Sequence, residues 1–258
     1  MKVVIYLTVR LKSKRLPKKA LRVVGNQTII EHIVDRAKAI KNADEIVLCT
    51  STNDEDTPLL EIAEKKNIPY FRGSEDNLIA RFLDASEIYK PDVVIRMTGD
   101  NCLISPEFMC YAIEKHIENN ADFTSTKELA GGSRGDVFSL NTLKHLKGLL
   151  QDERASEYLS WLLADENHFK VQWLSVDKEL KRPHYRLHCD TPADLEFVKA
   201  VYERLYDGTN IVDYRSVIKL LDESPEIVAL NKQIEQRSRE YIKDYINLEL
   251  KDSNSYLF

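Results

Sequence analysis

Seven residues from Val3 to Val9, VVIYLTV, carry no charge and are rich in β-branched side chains. A strand with one wet face alternates apolar and polar residues. One that stays apolar must be covered on both sides, as in a parallel sheet clothed by helices. The pattern repeats along the first half. Apolar residues at helical spacing over Thr28–Ile40 lead to a second buried strand at Glu45–Thr50. A helix over Asp54–Lys66, capped by Asn53 or Asp54, precedes a short strand at IPYF. A helix over Asn77–Tyr89 precedes a fourth strand, Asp92–Thr98, and Pro106 opens a helix to Glu118. Such alternation predicts βαβ units and a mainly parallel sheet.

The second half is less regular. ADFTST, GDVFSL, KVQWLSV and HYRLHC read as strands. Helices are expected over Asn141–Leu150, Glu153–Ala164, Thr191–Leu205, Val212–Leu221 and Glu226–Tyr245, with Thr191 as a cap and Pro192 in the first turn. No repeat or low-complexity linker interrupts the chain. The expectation is a single domain over 1–245: a nucleotide-binding half (1–120), an irregular acceptor and dimerisation half (121–210) and C-terminal helices (211–245), then a tail (246–258).

Composition removes several function classes. A net charge of −5 and a pI near 5.8 argue against general nucleic-acid binding, so no nucleic-acid partner is expected. The four cysteines form no C-x-x-C pair, which leaves zinc spacing absent and reduced thiols expected. The first apolar run is too short for a signal peptide and no segment reads as a membrane span. No membrane partner is expected, and the location is expected to be cytoplasmic.

One feature contradicts the acidic average. Between Arg10 and Arg22 stand seven Lys or Arg and no acid. The run follows the first strand, on the carboxyl edge where ligands of open α/β sheets bind. Phosphates need charge and donors. Arg15 offers a planar fork, Lys19 a mobile point charge and Ser13 a hydroxyl, while Pro17 stiffens the turn. A triphosphate matches several cations in one loop. The alternatives are a solvated surface run and a localisation or RNA-binding patch. Neither G-x-G-x-x-G nor G-x-x-x-x-G-K-[ST] occurs, so side chains rather than a glycine cradle would hold the phosphates.

Arg10, Ser13, Arg15, Pro17 and Lys19 match the form R-x-x-S-x-R-x-P-x-K. With Gly99-Asp100 after the fourth strand, the chain resembles the cytidylyltransferase superfamily, which includes CMP-Kdo and CMP-sialate synthetases. FRGSEDNLIARF, RMTGDNCLI, RLHCDTPADLE and PEIVALNKQIEQ are similar, in order, to segments of the branch named for spore coat polysaccharide biosynthesis protein F. The resemblance reaches residue 237 and implies a three-layer Rossmann-like fold of the nucleotide-diphospho-sugar transferase type. It also implies a homodimer formed through the irregular half. Lys18 stands where relatives usually carry Gly, Asn101-Cys102 where the branch usually has Cys-Pro, and Thr8 where Pro or Gln is common.

Asp100 sits on the same edge as the cationic loop, where phosphate binding alone explains a carboxylate poorly. A bridging hard cation explains it, since Mg²⁺ takes one or two carboxylates and phosphate oxygens. Asp190, between HYRLHC and the helix opened by Thr191-Pro192, is the natural second ligand. The alternatives are a turn residue at Asp100 and a cap at Asp190. The resemblance favours Mg²⁺ at both. Asp194 reads as an early-helix acid. An acceptor oxygen would then attack the α-phosphorus of CTP and release pyrophosphate. Arg15, Lys19 and Asp100 are the candidate catalytic residues, and Arg10 and Ser13 would shape the loop or touch phosphate.

By resemblance, Arg72-Gly73-Ser74 matches a region that helps read cytosine in relatives; Arg72, Ser74 and Arg81 are the candidate nucleotide contacts there, Arg72 and Arg81 as base or acceptor contacts, and each arginine is equally well read as a surface residue. Arg96, inside an apolar strand, needs a carboxylate partner and reads as support for the site. By resemblance Arg134, Asp136, Arg154 and Glu157 are acceptor contacts. His184 and His188 flank the strand before Asp190 and read as packed or exposed. Trp161 and Trp173 read as core or dimer-face residues. The functional expectation is a Mg²⁺-dependent cytidylyltransferase acting on an acidic sugar or a small phosphate or phosphonate, for surface glycan synthesis. The rivals are a metal-dependent glycosyltransferase and a non-catalytic nucleotide-binding subunit. The first would need a D-x-D after a strand, but Asp54–Asp56 opens a helix.

Overall fold

The computed structural model describes residues 1–150 and 153–235, with the side chains of 153–155 outside the description. The first half builds β1 (Val3–Thr8), the small hairpin β2 (Val23–Val24) and β3 (Gln27–Thr28), α1 (Ile29–Lys38), β4 (Glu45–Ser51), α2 (Thr57–Lys65), β5 (Tyr70–Gly73), α3 (Leu78–Tyr89), β6 (Val93–Thr98) and α4 (Pro106–Glu118). The second half adds β7 (Phe123–Ser125), β8 (Asp136–Ser139), α5 (Leu140–Leu149), α6 (Leu159–Leu163), β9 (Val171–Trp173), α7 (Pro192–Leu205), α8 (Tyr214–Glu223) and α9 (Pro225–Ala229). Seven strands form one sheet in the order β5-β4-β1-β6-β8-β7-β9. The β5-β4-β1-β6 block is parallel, β8 runs antiparallel to β6 and β7, and β9 is parallel to β7.

The apolar run behaves as its composition dictates. Ile5 and Leu7 pack with α1, α4 and α7 on one face, and Val4 and Tyr6 pack with α3, α5 and α6 on the other. Truncating a fully buried residue such as Ile5 to Ala costs about 2–5 kcal/mol. The buried Tyr6 hydroxyl pairs with Ser86 Oγ at 3.0 Å. Thr8 lies level with Cys49 and Thr98, so β1, β4 and β6 end on one rim. Helix starts follow local chemistry: Thr28 with Glu31, and Thr191 with Asp194, each form a reciprocal capping box. Among the described residues no helix is long and apolar enough to cross a membrane.

Several sequence expectations change; the helix expected over Glu153–Ala164 is a 3₁₀ stretch to Tyr158 followed by the short α6. The β2–β3 hairpin, turning at Gly25-Asn26, lies where no strand was expected; each strand is only two residues long, too short for a period to show. HYRLHC is not a strand. Among the described residues it makes one isolated bridge, Gly131 to Arg186, outside the named strands, and Cys189 N donates to the carbonyl of Asp100. The helix expected over Glu226–Tyr245 ends at Ala229, and a turn follows in which Asn231 is buried and bonded to other elements. The rest of that expected helix, and the tail, lie outside the described residues.

Candidate active site

The cationic loop leaves β1 and is tied down at its start by a buried acid. Asp56 accepts from Leu11 N at 2.7 Å, from Thr50 Oγ1 at 2.9 Å and from Ser51 Oγ at 2.6 Å. The acids of Asp54–Asp56 therefore include a structural anchor, not a D-x-D metal pair. At the loop's end Lys18 takes φ 51°, ψ 36°, the left-handed region that favours Gly. One 3₁₀ turn over Lys19–Leu21 follows, buries Ala20 and turns Lys19 inward.

The Lys19 ammonium lies between two carboxylates, 2.9 Å from Asp100 Oδ2 and 2.6 Å from Asp190 Oδ1. Arg15 Nη2 approaches Asp190 Oδ2 at 3.1 Å. The four residues converge although Lys19 and Asp190 are 171 positions apart. Burial disfavours the Lys19 charge, but Asp100 and Asp190 outweigh it and hold the ammonium above its ordinary pKa. Burial likewise favours a neutral Asp100, yet Lys19, then His188, then the 2.6 Å bond from Thr98 Oγ1 keep the carboxylate well below its usual range. Gly99 permits this approach, since a Cβ there would lie 2.5 Å from Val9 Cγ2.

Two carboxylates aimed at one cation are a donor set that fits a hard divalent ion. Among the described residues no group of three His, Cys, Asp or Glu converges. Further ligands would then come from phosphate and water, which is the habit of Mg²⁺ and not of structural zinc.

Beside this centre opens a cleft of about 400 Å³. One wall is a polar network: Arg96 donates to Asp136 Oδ2 at 3.1 Å and to Ser160 Oγ at 2.7 Å, and Ser160 donates to Asp136 at 2.5 Å. Arg96 thus finds the carboxylate that its strand position demanded, and Asp136 is held by it. Arg134 lines the cleft, and burial pulls its pKa below the ordinary value. Glu157 sits at the exposed margin. Trp161, read as core or dimer face, lines the cleft and stacks on Tyr158, with ring centroids 5.8 Å apart. The side chain of Arg154 lies outside the described residues. Gly132, at φ +93°, forms part of the lining where a Cβ would lie 2.6 Å from His188 N.

The remaining candidates lie away from the carboxylate pair. Arg10 donates to the carbonyl of Glu75 at 2.6 Å. Arg72 spends its donors on the carbonyls of Ser51, Thr52 and Asn53. Arg81 is buried beneath the ends of β1 and β5; it donates to Ser74 O and Thr8 Oγ1, and its Nε has no partner among the described residues. Burial and nearby Arg10 push its pKa down to about 10. Ser74 Oγ accepts from Asn77 N at the start of α3. Ser13 lines a separate depression on the outer side of the loop, with Lys12, Lys14 and Lys18.

Sequence reading passed over the support beneath Asp190. Arg186 pairs with Asp194 through Nε at 2.8 Å and Nη2 at 3.0 Å, and its Nη2 also reaches Asp190 Oδ2 at 3.3 Å. Asp194 is therefore an ion-pair partner as well as a helix cap. His188, read as packed or exposed, lines the cleft and pairs with Asn101 Oδ1 at 2.9 Å. The available signal was the i, i+4 spacing of Arg186, Asp190 and Asp194, which carries no meaning until the backbone path is known.

The cytidylyltransferase family model matches residues 4–219. An uncharacterized protein of Methanocaldococcus jannaschii is 34% identical, covering 95% of this chain and all of its own length. The spore coat polysaccharide biosynthesis protein SpsF of Bacillus subtilis is 30% identical, covering 84% of this chain and 92% of its own. A cytidylyltransferase from Leptospira borgpetersenii superposes with a TM-score of 0.82 at 26% identity, covering 93% of this chain and all of that one. The mostly parallel sheet, the cationic loop after its first strand and these matches agree: the chain belongs to the cytidylyltransferase family and is a nucleotidyltransferase.

Proposed function

We propose that this protein transfers CMP from CTP to an acidic sugar or a small phosphate or phosphonate, releasing pyrophosphate, in surface glycan synthesis in the cytoplasm. The observation that carries the reading is the convergence of Lys19, Arg15, Asp100 and Asp190 on one rim beside a cleft that contains Arg134. Asp100 and Asp190 would hold Mg²⁺, which supplies charge neutralisation at the α-phosphate. Lys19 and Arg15 turn from the carboxylates to the β- and γ-phosphates and stabilise the departing pyrophosphate. Arg10 and Ser13 shape the loop, and Arg72, Ser74 and Arg81 frame the base. Arg134, Asp136, Arg154 and Glu157 orient the acceptor, whose oxygen attacks phosphorus as the bond to the pyrophosphate oxygen breaks. Positioning and charge, not covalent catalysis, carry the rate. The reading treats 1–245 as one functional domain that pairs with a second copy through the irregular half.

Pyrophosphate release with CTP, Mg²⁺ and a panel of acidic sugars, phosphates and phosphonates tests it. Asp100→Ala is expected to lose at least about 10²-fold in rate while keeping a native circular dichroism spectrum; wild-type turnover in that variant removes the assignment. CTP is expected to raise Tm more than ATP or GTP does, and equal shifts would undo the base assignment.

A further inference from the structure

We infer that Arg186 is a positioning residue for Asp190, and that Asn231 locks it in place from the C-terminal segment. The inference rests on the proposed role of Asp190 as a metal ligand. Three observations carry it. The Asp194 carboxylate, fully buried, accepts from Asp190 N at 3.1 Å, while the Arg186 guanidinium paired with it reaches Asp190 Oδ2 at 3.3 Å. One buried ion pair thus holds both the backbone and the side chain of Asp190, leaving Oδ1 to face Asp100 across Lys19. Asn231 then donates from one Nδ2 to the carbonyl of Arg186 at 3.0 Å and to Asp194 Oδ1 at 3.1 Å. Finally, Asn231 lies past residue 219, where the family match ends, so this clasp is supplied by chain outside the matched region.

A helix cap needs none of this. Thr191 Oγ1 and the Asp194 carboxylate already close the capping box of α7. A buried arginine–carboxylate pair adds little net stability over apolar packing, so its physical use here is orientation. When Lys19 leaves the carboxylates for phosphate, Arg186 still holds Asp190 in place. Groups that orient a metal-binding side chain typically change metal affinity or activity by about 10–100-fold when altered.

The test uses Mn²⁺ as the probe, bound to the full chain with a non-reactive α,β-methylene analogue of CTP and titrated by electron paramagnetic resonance. Arg186→Lys keeps the charge but loses the fork. It is expected to weaken Mn²⁺ binding about 10-fold or more, with metal-free analogue binding unchanged. Asn231→Ala is expected to shift Mn²⁺ binding in the same direction, and it carries the test if Arg186→Lys does not fold. A purely structural role would lower Tm and leave the Mn²⁺ affinity of the folded protein unchanged, which would overturn the inference. Asp190→Asn separates the two levels. If it binds Mn²⁺ like the wild type, the metal reading itself fails. If it loses Mn²⁺ while both other variants keep it, only the positioning role fails.

Discussion

Replacing Lys19 by Met leaves Asp100 and Asp190 facing each other without a shared cation. At the observed 2.9 and 2.6 Å, each ion pair is worth about 6 kcal/mol of gross attraction at an effective dielectric of ~20. Burial of the three charges offsets most of that. Removing one partner of a buried pair costs about 3–5 kcal/mol. The Lys19 side chain is 17% exposed and Asp100 21%, so solvent reduces the expected loss at pH 7 to about 2–4 kcal/mol. For a chain of this size that lowers Tm by roughly 10 °C. The pH dependence has a definite sign. In the wild type the Asp100 pKa is depressed, so its contribution is present above the ordinary carboxylate pKa and lost as pH falls through the folded value. Without Lys19, burial raises that pKa, and the variant regains stability as pH falls. The gap between wild type and variant should therefore be widest at neutral pH and narrow as pH falls toward 4 without closing there, because the wild-type carboxylate keeps its charge to well below the usual range. Mg²⁺ at millimolar concentration should raise the variant's Tm more than the wild type's, since it meets two carboxylates with no competing ammonium. Urea and thermal unfolding between pH 4 and 8, with and without Mg²⁺, measure all of this. A variant with wild-type Tm at pH 7 would show that the ammonium is not coupled to the acids, and the reasoning would fail.

Two further outcomes follow from local geometry. His116 is 2% exposed and pairs with Thr124 Oγ1, and burial holds its pKa down to about 4. The folded state thus binds a proton less readily than the unfolded chain, so stability present above pH 6.5 declines as pH falls toward 4, by about 2 kcal/mol at pH 5. His116→Asn should flatten this part of the urea-midpoint profile, and an unchanged slope would contradict the assignment. Lys18→Gly relieves a left-handed backbone costing about 1–2 kcal/mol but adds about 0.5–1 kcal/mol of unfolded-state entropy. A net gain of about 0.5–1 kcal/mol, read as a Tm rise of a few degrees, is expected; a fall in Tm would contradict it.

The first half of the fold was legible because its signals are local. VVIYLTV needs apolar cover on both faces whatever follows, and Thr28 and Thr191 cap helices with residues only three positions away. The cationic loop and Gly99-Asp100 were legible for the same reason, each following a strand whose carboxyl end is readable from its own composition. HYRLHC misled because its apolar alternation fits a strand, while its backbone follows Gly131 and Asp100 instead of a neighbouring ladder. Asn231 sat in a stretch with helical spacing, and no local signal distinguishes a side chain that stops a helix to bond two distant residues.

The arginines divide along the same line. Residue type alone made Arg10, Arg15, Arg72, Arg81 and Arg186 equivalent donors. Only the folded chain assigns Arg72 to three carbonyls, Arg15 to Asp190 and Arg186 to Asp194. Periodicity, charge and turn chemistry act over a few residues and are written in order along the chain, so they establish the sheet, its rim and the loop upon it. The meeting of Lys19, Asp100 and Asp190 closes contacts 81 and 171 residues apart. Such contacts depend on how every intervening crossover packs, and that is a property of the assembled core, not of any segment.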